Sequence, residues 1–134
     1  MEARRKERAT REMFQVQRDG EGNVIPVDKE IDWEDTTVIV GIRPMSYGDI
    51  EDWNKKSEKD EGIGAKEIAR TLAKHVAEPD LSDLTEQALR DGYKAMAVST
   101  LLMAVMQASG MKGKVTVDDN MTAKVEVEDD EGNS

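Results

Sequence analysis

At 134 residues and 37% hydrophobic content, the chain carries enough apolar material for one modest core and not for two. Its 29 acidic and 19 basic side chains leave a net charge of -10, which disfavours general attraction to nucleic acid or anionic membranes and favours basic or neutral protein partners. With no cysteine, disulfides, thiolate metal sites and cysteine nucleophiles are excluded, and Met1-Glu2-Ala3-Arg4-Arg5 lacks the apolar stretch of a secretory signal, so a soluble, cytosolic protein is expected.

Residues 1–12 form a basic arm: six basic and three acidic groups fall in the first 18 residues, with no apolar periodicity from Met1 to Thr10 to seat them on a core. Phe14 and Val16, the turn signal Asp19-Gly20-Glu21-Gly22-Asn23, and Val24, Ile25 and Val27 predict a two-stranded hairpin with a longer loop. Thr36 to Ile42 is β-branched almost throughout and is stopped by Pro44, so it reads as a strand pairing with that hairpin. Ser46 then caps a helix running to about Ser57, with Asp49 at its third position and Met45 placed to pack on Ile50. In it Tyr47, Ile50 and Trp53 share one side, while Glu51, Lys55 and Lys56 face water.

The polar stretch from Glu58 to Gly64 predicts a loop, and Ala65, Ile68, Ala69, Leu72, Ala73 and Val76 form the stripe of a second helix that stops at Glu78-Pro79. Asp80 or Ser82 caps a third helix through Leu84, Ala88 and Leu89, with Gly92 a breaking point before the apolar run that ends at Gly110. Val115 to Val117 and Ala123 to Val127 alternate weakly around Asp118-Asp119-Asn120, which permits a hairpin; the end from Asp129 does not. The expected architecture is therefore mainly α: three to four helices with a short N-terminal β element in residues 13–110, and an acidic tail in 111–134.

The most informative segment is Met96 to Ser109. On a helical wheel Val98, Leu101, Leu102 and Val105 form a core stripe, while Met96, Ser99, Thr100, Met103, Met106 and Gln107 gather on the other side. No charge interrupts the 17 residues from Ala95 to Met111, a length marginal for a membrane span, so protein should cover this second face. Methionine is flexible and polarizable, which suits either an adaptable partner-binding surface or a gap-filling core. These six residues are the candidate partner-binding set.

Catalytic chemistry has little to draw on. The single histidine, His75, falls on the charged side of the second helix and reads as a surface residue. No serine has a nucleophile-elbow context, no glycine-rich segment carries a phosphate-loop lysine, and the acidic clusters lack the spacing and central glycine of a calcium loop. Neither enzyme activity, cofactor nor metal is expected. Arg4, Arg5, Lys6, Arg8 and Arg11 could neutralise phosphates, but no aromatic residue interleaves them, and Trp33 and Trp53 lie among acidic residues that repel a phosphate backbone.

The passage Glu78-Pro79-Asp80-Leu81-Ser82-Asp83-Leu84, followed by Ala88-Leu89-Arg90-Asp91-Gly92-Tyr93, resembles the tail assembly chaperones of long-tailed phages and prophages. The similarity extends to the leucine- and methionine-rich helix with Leu101, Leu102, Met106, Ser109 and Gly110, and upstream to Asp19-Gly20 and to Ile42-Arg43-Pro44-Met45-Ser46, so that it covers residues 12–110. The chain departs from the family pattern in its basic arm and its longer acidic end. The resemblance implies a protein that holds the tape measure protein, a long aggregation-prone helical chain, while tail tube protein subunits assemble around it. It further implies work in the host cytoplasm and departure before the virion is complete. Competing expectations are a permanent tail or connector component, self-association into a homo-oligomer, and a DNA-contacting factor that uses the arm.

Overall fold

The structure, a computed structural model, describes residues 8–59 and 61–127. Most of the basic arm and the acidic end beyond residue 127 lie outside the described residues.

A short 3-10 turn at Arg11–Phe14 opens the fold, and a single bridge between Arg18 and Val24 follows. The longer hairpin expected here is reduced to that bridge, because Asp19 organises the turn itself. Its carboxylate accepts from the backbone N–H of Glu21 at 2.8 Å and of Asn23 at 3.0 Å. Strand β1 (Val27–Trp33) then pairs antiparallel with β2 (Thr36–Ile42) across the two-residue loop Glu34-Asp35. Glu34 takes the left-handed conformation, φ 56°, that such short loops use.

Helix α1 (Tyr47–Ser57) begins where the sequence places it, with a reciprocal capping box between Ser46 and Asp49. Helix α2 (Ala65–His75) buries Ala65, Ile68, Ala69 and Leu72 along the predicted stripe. The chain leaves it directly into β3 (Val76–Glu78), which adds antiparallel to β2 with a shifted register at Gly41 and Ile42. Gly41 lets the two strands approach closely there, since a Cβ on it would lie 3.3 Å from the Cβ of Glu78.

Helix α3 (Glu86–Gly92) is capped by Thr85, whose hydroxyl accepts from the N–H of Ala88 at 3.1 Å, rather than by Asp80 or Ser82. Gly92 does separate it from α4 (Ala95–Ala108). Gly110 ends α4 at φ 80° in a Schellman arrangement: its N–H donates to Gln107 O, and the N–H of Met111 donates to Met106 O. Strands β4 (Gly113–Val117) and β5 (Ala123–Val127) form a second, two-stranded sheet.

The expectation of a mainly α fold is therefore overturned. Four helices are matched by five strands in two antiparallel sheets, a mixed α/β arrangement. Two strands escape the sequence reading: β3, whose Val76 was placed on the second helix, and β1, in which Asp28, Glu30 and Asp32 alternate with half-buried Lys29, Ile31 and Trp33. So acidic an outer face reads as a loop until a partner strand and a helix beneath it supply the other half of the pattern. One hydrophobic cluster unites the molecule, with Ile42, Leu72, Leu102 and Ala123 among its members, so that both sheets and the helices close on the same core. α4 lies at its centre, packed against β1, β2, β4 and α2.

Candidate protein-docking surface

The core stripe of α4 is buried as predicted: Val98, Leu101, Leu102 and Val105 all face the interior. The opposite side divides along its length. Met106 is only 1% exposed and belongs to the core, so it is withdrawn from the partner-binding set on packing grounds. Met103 is half-buried against the core, Ser99 and Thr100 are half-exposed, Gln107 is exposed, and Met96 stands 71% exposed at the first turn.

Local hydrogen bonding makes this face less polar than its composition suggests. The hydroxyls of Ser99 and Thr100 both donate to Met96 O, at 3.0 and 2.9 Å, so they need no partner from outside the helix. What covers the face in part is β1. Thr100, Met103, Ala104 and Gln107 line one wall of a groove of about 310 Å³, and Glu30, Ile31 and Asp32 of β1 line the other. Its apolar lining comes from Ile31, Met103 and Ala104, and its polar lining from Thr100 and Gln107 and from residues 30 and 32. At the N-terminal end Lys94 approaches Glu34 at the hairpin tip, 4.0 Å apart, in an exposed pair.

Other apolar surface lies at the opposite end of the sequence. Phe14, 80% exposed, and Tyr47 border a pocket of about 620 Å³ that Gln15, Val16, Met45 and Ser46 also line. Tyr47 was expected on the buried side of α1, whereas Trp53 alone of that helix is fully buried.

His75 corrects the reading of a surface histidine. It is 4% exposed, and its ring Nδ1 donates to Arg43 O over 2.8 Å, while the backbone N–H of Arg43 donates to His75 O over 2.6 Å. Burial is the chief cause that holds its pKa below the usual histidine value, opposed by the bond to Arg43 O. The arrangement clamps the β2–α1 connection onto the end of α2. Lys74, bonded to Asp49 at 2.8 Å, reinforces the clamp from outside. Burial alone would raise the pKa of Asp49, but hydrogen bonds from Lys74 and from the backbone of Ser46 outweigh it and lower the value. The sequence signal that could have located His75 inside is its spacing, three residues after Leu72 and seven after Ile68 on the buried stripe of α2.

Among the described residues no helix is long and apolar enough to cross a membrane. Comparison with protein-family models, with curated proteins and with solved structures finds no match for this chain.

Proposed function

We propose that the protein is a non-enzymatic assembly chaperone of the long-tailed phage type, which holds the tape measure protein by reversible contacts in the host cytoplasm while tail tube subunits add. The observation that carries the docking part of this reading is the incompletely covered face of α4: Met96 is exposed, and Met103 sits half-buried beside an open groove that the chain's own β1 only borders. A thioether surface of this kind adapts to varied apolar side chains, and the net charge of -10 keeps the loaded complex dissolved. The assignment to tail assembly rests on the resemblance carried by residues 12–110.

Capture of the tape measure protein tests it, with wild type compared with Met96→Asp and Met103→Asp. Both positions leave the innermost core intact, so the variants should fold, and each should reduce capture by about tenfold or more, as desolvated interface anchors do. Undiminished capture by the folded Met96→Asp, Met103→Asp double variant overturns this surface. A permanent virion component is the second reading, favoured by the separate exposed patch of Phe14 and Tyr47. Mass spectrometry of purified virions separates the two: stoichiometric presence selects the structural component, and a chaperone is missing.

A further inference from the structure

Among the described residues β1 is hydrogen-bonded on one side only. It is the edge of the β1-β2-β3 sheet. Among the described residues no loop or turn backbone bond reaches Val27–Trp33. The register decides which groups face outward. Trp33 pairs with Thr36 across a two-residue loop, and in such a hairpin the closing pair exchanges both of its hydrogen bonds, after which bonded and non-bonded pairs alternate. Val27, Lys29, Ile31 and Trp33 thus spend their backbone groups on β2, while Asp28, Glu30 and Asp32 turn theirs to the open edge.

The side chains of these same three residues lie on the exposed outer face, opposite Gly41, Ile39 and Thr37 of β2. Ile39 is 62% exposed among them. Residues 30–32 of this edge strand share the groove already described with Thr100, Met103 and Gln107 of α4, so a strand laid along β1 would face those side chains.

We propose that β1 receives an extended segment of a partner protein as an additional strand, one whose residues alternate between apolar and cationic. Its backbone would pair with Asp28, Glu30 and Asp32. Its apolar side chains would enter the groove over Met103, and its lysines or arginines would meet the three carboxylates. This rests on α4 being a docking face and names the mode and chemistry of recognition there.

Charge selects the occupant. Acidic side chains on an edge normally discourage pairing, and a second copy of β1 laid antiparallel would set Asp28 against Asp32 and Glu30 against Glu30. A cationic strand meets attraction where a copy of this chain meets repulsion. A metal ion is a poor alternative, because among the described residues no three carboxylates or histidines are placed to hold one.

The test uses the full chain and a synthetic seven-residue peptide of alternating lysine and valine. Two controls carry the same charge: the same peptide N-methylated at alternate backbone nitrogens, and a helix-forming leucine-lysine peptide. Binding is followed by titration, and hydrogen exchange is read at individual amides. Only the alternating peptide should bind appreciably, and the amides of Asp28, Glu30 and Asp32 should exchange at least about tenfold more slowly in its presence, the size expected of one added hydrogen bond. Glu30→Pro removes an outward N–H that β2 does not use and should weaken binding by about tenfold, while Glu30→Gln should chiefly flatten its salt dependence. Equal binding of the N-methylated or helical peptide, failure of all three to bind, or unchanged exchange at the three amides overturns strand addition. Capture of the tape measure protein that needs Met103 but ignores Glu30→Pro overturns it too, and leaves the docking reading standing.

Discussion

Met96 and Met106 occupy the same helix with opposite fates, and the difference is one of neighbours rather than of chemistry. Met106 is enclosed, so Met106→Ala should cost about 2–5 kcal/mol through lost transfer energy and the cavity left behind. Met96→Ala, at a position open to water, should stay within about 0.5 kcal/mol. Chemical denaturation of both variants checks the pair, and equal losses would mean that the first turn of α4 is packed. His75 gives a pH prediction. Its folded pKa lies below its unfolded value, so the unfolded chain takes up the proton first as pH falls. The stabilisation is complete above about pH 6.5, the ordinary histidine value, and is lost as pH falls from there through the lowered folded pKa. The thermal midpoint of wild type should therefore decline as pH falls below about 6.5, and that of His75→Gln, otherwise less stable, should be flatter over the same interval.

Among the elements, the C-terminal hairpin packs on α4 and is tied by backbone to the loop that precedes α2. Ile63 and Ala123 exchange two backbone hydrogen bonds of 2.8 Å, and Gly62 beside them adopts φ 78°. A Cβ at Gly62 would stand 2.6 Å from Ala123 O, against backbone that cannot swing aside. Gly62→Ala should destabilise by more than about 1 kcal/mol, combining a left-handed alanine with the clash. Its effect should concentrate in faster amide exchange across β4 and β5. A uniform effect over all elements would show that this bridge does not couple the hairpin to the loop. The capping box at Ser46, the stripe of α2 and the stop at Gly110 were legible beforehand because they rest on local chemistry, whereas the end of α2 at His75 and the start of α3 after Thr85 were not. β1 was not, since its outer residues are the charged ones that solvent tolerates and its inner ones number too few to mark a period.

At the scale of the whole molecule, the excess of carboxylates opposes compactness. The ion pairs among described residues are partly or largely exposed, and each contributes about 0–1 kcal/mol. Screening should relieve more repulsion than it removes attraction, so the thermal midpoint should rise as sodium chloride is raised from about 10 mM to about 300 mM; a falling midpoint would assign net stability to the pairs. Read alone, the sequence determined the start of α1 and the stop of α4, the core stripes of α2 and α4, and the presence of an uncharged second face on α4, because each depends on residues within a few turns of one another. Only the tertiary structure decided how much of that face remains open. Met106 is sealed and Met96 is not because the elements packed on α4 cover it unevenly, and contact with β1 and β2, far away in sequence, leaves no local trace in the chain. The same long-range closure put His75 inside and left the outer edge of β1 without a neighbour.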